Sequence, residues 1–341
     1  MHVRITHIDG KLPNLALMKL ARWHRDCGDQ IHFSHRVLPD MFEPTFDRVY
    51  ASAIFASSTP KVEQLKTIWP GAIVGGTYNL ANNTSIEQAL GSSRELPVDY
   101  SIYPTFQPSL GFTQRGCRLK CGFCVVPKKE GKAWSTNSIA DIWRGDPYPR
   151  HLHLLDNDFF GQPSEQWQAR IEEIKAGGFK ICLTQGINVR MIDDEVAQAL
   201  QAIPSYDDTF KHQRITTAWD NIGDEKVFFR GIELLLKHGF IPARIFVYML
   251  IGYDRRETWE RLMYRLYKMN DLDLRPYPMI YNNQRHRRLP LGNLNQHIEK
   301  RTLGDFQTWV IHRCYRNGEP FEAFRHNARR EGRLIPQEIM L

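Results

Sequence analysis

Long apolar runs are missing from this chain. Nothing approaches the length of a membrane span, and the opening residues, Met1-His2-Val3-Arg4-Ile5-Thr6-His7, contain no signal-peptide apolar core. These absences predict a soluble, cytoplasmic protein with no membrane partner. Cysteine is scarce, with six in 341 residues, and Cys27, Cys182 and Cys314 stand singly, which excludes a disulfide framework. No G-x-G-x-x-G follows the first strand-like stretch, which argues against a dinucleotide site. Zinc-finger, RRM and KH signatures are also missing. Acidic residues do not balance the basic ones: the formal charge is +7. Much of the excess falls late, in Arg285-His286-Arg287-Arg288 and in the tail from Arg325 to Arg333. Such runs either bind the phosphate backbone of a nucleic acid or form a solvated surface.

What is present is an ordinary globular composition, 42% hydrophobic and 24% charged, in a chain long enough for two domains. The other three cysteines are together. Residues 112 to 124 place Cys117, Cys121 and Cys124 at the spacing C-x3-C-x2-C, just after an apolar, strand-like stretch. Three thiolates this close can each hold one iron of a cubane cluster. Such clusters are normally held by four cysteines, so a set of three leaves one iron open to an outside ligand. Two other readings exist, a zinc site and ordinary buried thiols. Zinc generally takes four ligands in paired C-x2-C arrangements, and no partnering pair is found here. Three cysteines within eight positions among Arg, Lys and Gly are also unlike a core.

The spacing, with Phe123 directly before the last cysteine, resembles the cluster motif of the radical S-adenosylmethionine superfamily. The resemblance implies a [4Fe–4S] cluster on Cys117, Cys121 and Cys124, whose open iron is chelated by the methionine end of S-adenosyl-L-methionine. One electron from an external reductant of flavodoxin or ferredoxin type then splits the sulfonium and yields a 5′-deoxyadenosyl radical, chemistry that the cofactor carries.

The order of elements agrees. Val3–Ile8, Gln30–Phe33, Arg48–Phe55 and Ala72–Val74 read as strands, with helical periodicity over Pro13–Cys27 and Pro60–Trp69. Alternation of this kind predicts a parallel sheet covered by helices. It resembles the cobalamin-binding-like, Rossmann-like domain that precedes the radical core in one branch of the superfamily. Gly75-Gly76 fits its paired glycines, but in the loop Asp9-Gly10-Lys11-Leu12-Pro13-Asn14 a lysine stands where the cobalt-binding histidine would be. A protonated ammonium has no lone pair to offer, so the domain is read as degenerate and cobalamin as unlikely. Residues 91–108 hold three prolines and read as a linker. Six further strand candidates follow, at Ser109–Thr113, His151–Leu155, Lys180–Thr184, Arg214–Trp219, Arg244–Ile251 and Leu272–Ile280. Helical stretches between them are Ser138–Trp143, Pro163–Ala176, Asp193–Ala202, Gly223–His238 and Arg256–Met269. The expected architecture is α/β: a Rossmann-like domain over 1–95, a (β/α)6 partial TIM-type barrel over 96–285, and a short, basic C-terminal extension over 286–341 with a helix at Leu303–Tyr315.

In barrels of this kind catalytic groups collect at the C-terminal strand ends. The resemblance places Phe123 near the adenine. It assigns the methionine ammonium to Asp156 or Asp158, for which the alternative is an Asx turn or helix N-cap. Gln185 and Asn188 suit ribose hydroxyls, and Arg190 suits the methionine carboxylate. Asp220 and Asn221 lie at the productive end of the fourth strand, whereas Arg214 starts that strand and belongs at the other end. The stretch ending at Ile251 looks like the family's adenine-contacting strand, or is plain core. Lys128 and Lys129 are surface charges, tune the cluster, or hold an anionic substrate. Alternation puts Arg275, Tyr277, Met279 and Tyr281 on one face, suited to an anionic or planar substrate. Cys182 and Cys314 are either hydrogen-atom donors or core. The N-terminal region has only Cys27 and the segment after the barrel only Cys314, so a second cluster is not expected. Taken together these features predict a radical S-adenosylmethionine enzyme of unread substrate. The alternatives are a cobalamin-dependent radical methylase and a non-catalytic iron–sulfur protein that binds nucleic acid.

Overall fold

The computed structural model of the protein describes residues 1–80, 85–91, 97–294 and 297–325. The chain is mixed α/β with parallel sheets and divides into two compact units, Met1–Gln107 and the chain from Pro108 onward.

The first unit runs β1 (His2–His7), α1 (Leu15–Asp26), β2 (Gln30–Ser34), β3 (Arg48–Ser52), α2 (Thr59–Ile68), β4 (Ile73–Gly75) and α3 (Ile86–Leu90). All four strands are parallel, in the order β2-β1-β3-β4. Because β1 is flanked on both sides and covered on both faces, alternate residues give no polar side: Val3, Arg4, Ile5 and Thr6 are all buried. Arg4 is surrounded there by local partners. It donates to Glu43, to Thr6 and to the carbonyls of Arg36 and Leu38, and lies 4.5 Å from the Trp69 ring. Helix α1 starts at Asn14, whose side chain accepts from the Leu17 amide, and buries Leu17, Met18, Leu20 and Ala21. After β4 the chain turns at Gly76 (φ +105°), where a Cβ would lie 1.9 Å from the Ala53 carbonyl oxygen, so only glycine fits.

The expected boundary near residue 95 falls too early. Tyr100, Ile102 and Tyr103 are buried in the first unit, so the prolines of 97–107 mark turns inside a packed segment; residues 92–96 lie outside the described residues.

The second unit runs β5 (Ser109–Gly111), β6 (Gln114–Arg115), α4 (Val126–Lys129), β7 (Trp134–Ser135), α5 (Ile139–Ile142), β8 (His151–Leu154), α6 (Ser164–Gly177), β9 (Lys180–Leu183), α7 (Asp194–Gln201), β10 (Ile215–Ala218), α8 (Glu225–Lys237), β11 (Ile245–Ile251), α9 (Trp259–Asp271), β12 (Arg275–Ile280) and α10 (Leu303–Ile311). Two three-stranded parallel sheets form, β5-β8-β9 and β10-β11-β12, plus an antiparallel pair β6-β7. A hydrogen bond from the Ile187 amide to the Thr216 carbonyl (2.8 Å) joins the two parallel sheets past the end of β9. Period-two alternation sends Leu152, Leu154, Ile181, Val247, Met249 and Ile251 to the core shared with the helices. The opposite face carries His153, paired in register with Cys182, and Tyr248 packed edge-on against Tyr277 at 5.8 Å. Arg214 precedes β10 and stacks on Phe246 (4.8 Å), at the amino-terminal end as expected.

The segment after 286 is not a separate extension. Leu289, Ile298, Leu303, Phe306, Trp309, Phe321 and Phe324 belong to the same core as Trp259, Leu262 and Leu266 of α9. Burying each such side chain is worth about 1.5–3 kcal/mol, enough to fix this segment to the unit. Of the basic tail, all but Arg325 lies outside the described residues.

Candidate functional site

The six parallel strands of the second unit all deliver their carboxyl ends to loops carrying the chemistry-bearing residues. The cysteine loop follows β5 and is closed at its base. Residues of β6 and β7 pair there, Arg115 opposite Trp134. The Cys117 amide donates to the Gly131 carbonyl (3.2 Å), and Glu130 accepts from the Gly116 amide (3.0 Å), from Arg115 (2.6 Å) and from Asn157 (2.8 Å). Gly116, at φ +72°, lies against the Lys132 carbonyl with no room for a Cβ. Inside the loop a turn bonds the Cys124 amide to the Cys121 carbonyl (3.0 Å), and the Leu119 amide points at Cys117 Sγ (3.4 Å). All three thiols are half-buried. Burial pushes Cys117 up to about 11 and raises Cys124, each helped by the charge of its neighbouring cysteines.

Asp156 and Asp158 lie beneath this loop and are almost wholly buried. Both carboxylates of the ammonium assignment are engaged by the chain itself. Asp156 accepts from the Thr113 amide (2.7 Å), the Thr113 hydroxyl and the Gln114 amide (3.1 Å), so it fastens the loop base to the end of β8. Burial pushes it up to about 7 against the pull of those donors. Asp158 takes a two-pronged ion pair from Arg118 (2.8 and 3.0 Å) and the Arg118 amide (3.2 Å), with Cys117 Sγ at 4.0 Å.

The loop after β9 is different. Gln185 Nε2 and Asn188 Nδ2 are buried and have no hydrogen-bond partner. A buried amide donor left unpaired costs about 1–3 kcal/mol, and these two lie three positions apart in one loop. Arg190 joins this pair to the cysteine loop. Its guanidinium donates to Asn188 Oδ1 (3.3 Å) and Asp224 (2.8 Å), and Nη2 lies 3.8 Å from Cys121 Sγ. Asp220, after β10, accepts from the Leu250 amide (3.1 Å), and burial pushes it up to about 6. Asn221 caps the following 3-10 turn by accepting from the Gly223 amide.

The sequence reading missed the residue that holds these ends together. Arg265 of α9 is buried and donates to the carbonyls of Trp219, Asp220 and Leu250 and to Glu257 (2.6 Å), which in turn accepts from the Gly252 amide. Its signal was present: Leu262, Arg265, Leu266 and Met269 share one helical face, so the arginine interrupts an apolar stripe. Also missed was Tyr253, which packs edge-on against Phe123 (5.4 Å) and Tyr281 (4.9 Å) and so ties the cysteine loop to the ends of β11 and β12. The Ile251 side chain is fully buried in the helix-facing core. Cys182, whose thiol burial pushes up to about 12, and Cys314 are both buried. Lys128 and Lys129 are exposed on α4.

Among the described residues no three His, Cys, Asp or Glu side chains converge on a single-ion position. A search of protein families, of curated proteins and of solved structures finds no match to this chain.

Proposed function

We propose that the protein is a radical S-adenosylmethionine enzyme whose single [4Fe–4S] cluster is held by Cys117, Cys121 and Cys124. The observation that carries this reading is the placement of Arg190, in contact with Cys121 Sγ on one side and with the amide group of Asn188 on the other. It ties the three-cysteine loop to a pair of unpartnered buried donors at a strand end. The donor set fits the cluster. Each thiolate takes its own iron, so the three sulfurs need not meet at one point as they would for zinc. Bound at such a cluster and reduced by one electron from a flavodoxin- or ferredoxin-type donor, S-adenosylmethionine supplies a 5′-deoxyadenosyl radical.

The chain's own residues divide the remaining work. Gln185 Nε2 and Asn188 Nδ2 donate to ribose hydroxyls, Arg190 faces the methionine carboxylate, and Asp220 lies beside them as an acceptor. Phe123, braced by Tyr253, lies against the adenine. The finer fold belongs to the same reading: six β/α units in sequence order, linked at Ile187–Thr216, form a partial barrel. The order β2-β1-β3-β4 is that of a doubly wound, Rossmann-like domain. Cobalamin is not part of this reading. Lys11 stands at the histidine position, and the Asp9 carboxylate is already engaged by the amides of Ile54 (2.6 Å) and Phe55 (3.1 Å).

The test is anaerobic reconstitution with iron and sulfide, reduction, and measurement of 5′-deoxyadenosine from S-adenosylmethionine. One cluster per chain and product formation are expected. A cluster that is reduced yet releases no 5′-deoxyadenosine overturns the reading.

A further inference from the structure

Charge is distributed unevenly over the carboxyl-end loops of the second unit. Phe112–Ala133 carries six Lys or Arg against one Glu, and Tyr281–Leu289 three Arg and no acid. These two segments together hold more net positive charge than the +7 of the whole chain. The acids, Asp156, Asp158, Asp220 and Asp224, sit on the loops between them. Asp158 offsets Arg118 of the first segment, and the others are spent on backbone amides or on Arg190, so they leave the remaining cations of the outer segments unneutralised. Lys120, Lys128, Lys129, Lys132 and Arg288 are exposed, and among the described residues none has a carboxylate within ion-pair distance. Two large aromatic faces stand beside them. Trp134, two residues from Lys132, is 50% exposed, and Tyr253, in contact with Phe123 of the cysteine loop, is 41% exposed.

We infer that this rim binds a single-stranded nucleic acid, which names the substrate class for the site proposed above and rests on that reading only for the chemistry that follows binding. Unpaired cations interleaved with flat aromatic faces match a strand that offers phosphates and bases together. An acidic protein could use the same cations and pack on Trp134 and Tyr253, and competition by polyglutamate distinguishes it from a strand. A duplex would need an element that enters a groove, and neither loop offers a helix or ribbon of that length. A single strand can also deliver one unstacked base to a recessed site.

Binding is measured by fluorescence anisotropy on the full chain, without S-adenosylmethionine or reductant, so a failure here and a failure to cleave the cofactor register separately. The probes are labelled single-stranded RNA, single-stranded DNA and duplex DNA, each of about 20 nucleotides, over a series of salt concentrations. Single strands of one or both sugars bind, and affinity falls steeply with salt. The combined Lys128→Ala, Lys132→Ala and Arg288→Ala variant, with an unchanged melting temperature, shows a log–log salt slope shallower by about 2. Trp134→Ala weakens binding about tenfold with its salt slope unchanged. Equal binding by the triple variant, equal binding of the duplex, or displacement of the strand by polyglutamate at matched charge each overturns the inference; the last points instead to an acidic protein partner.

Discussion

Each unit ends a parallel sheet at a set of polar residues, and the two ends are finished in opposite ways. In the first unit most of the polar groups pair with one another, with His7 Nε2 left unpartnered. The Asn14 amide donates to the Tyr103 hydroxyl, which pairs with His7 Nδ1 (3.1 Å), while Asn14 Nδ2 donates to Ser52 (2.9 Å) and Asp9 caps the chain after β3. In the second unit the amides of Gln185 and Asn188 stay unpaired, with three thiols across from them. Since a buried polar group costs stability unless it is bonded, the proposed function would offset the cost of the second unit's unpaired amides by a ligand that accepts from them. The two fully buried arginines follow the same division. Arg4 pins a surface loop, whereas Arg265 clamps the strand ends that frame the open site.

The largest effect expected from breaking this contrast is at the thiols. Replacing Cys117, Cys121 and Cys124 together by Ala removes the iron, read by metal analysis, and abolishes cofactor cleavage, while the first unit's melting is unchanged. A full cluster in that variant would falsify the ligand assignment. Next come the arginines. Arg265→Met leaves Glu257, whose side chain is only 7% exposed, charged and unpaired, and costs about 3–5 kcal/mol by calorimetry. Arg4→Met costs less, because Glu43 at 17% exposure can turn to water. Equal losses would remove the distinction between them.

Acid comes third. Burial, together with the neighbouring His35, pushes His7 down from 6.5 to about 4, against a smaller opposing pull from Asp9. The folded unit therefore requires the neutral ring. The stability tied to that shift is present above pH 6.5 and is lost as pH falls from there through 4, amounting to about 3 kcal/mol. His153 imposes the same demand on the second unit, also with a value of about 4 caused first by burial. In His7→Phe the acid sensitivity of the first unit's melting between pH 7 and 4.5 should flatten and that of the second should persist.

The smallest effect separates two asparagines. Asn14→Ala removes a helix cap and costs about 1 kcal/mol of stability with no change in ligand binding. Asn188→Ala removes an unpartnered amide nitrogen but also the Arg190–Oδ1 hydrogen bond (3.3 Å), so thermal stability changes by less than about 1 kcal/mol, while S-adenosylmethionine binding weakens about tenfold by calorimetric titration. A stability loss at Asn188 without an affinity loss would return it to the folding side of the comparison.

The strands and long helices were legible because alternation and helical period sit on uninterrupted apolar residues, as in Val247-Tyr248-Met249 and Leu262 to Met269. Boundaries moved by one to three residues at capped ends such as Thr258 before α9. The positions of the three cysteines, Gln185, Asn188 and Arg190 in loops after strands were legible because the strands before them were. What could not be read was which polar groups would be consumed internally. Nothing local separates Asp156, saturated by Thr113 and Gln114 some forty positions away, from Asn188, left open; only tertiary partners decide it. The β6–β7 pairing was hidden for the same reason, since two residues per strand carry no period.

That short pairing has a thermodynamic consequence for metal loading. A flexible peptide with three cysteines must lose the freedom of the chain between them when it takes up metal, and closing a loop of about 15 residues costs on the order of 3 kcal/mol in a free chain. Here the Cys117–Gly131 hydrogen bond, the Glu130 clamp and the β6–β7 rungs close that loop as part of folding. If the thiols take iron as proposed, capture by the folded protein should outcompete an excised peptide of the same sequence by about a hundredfold at equal thiol concentration.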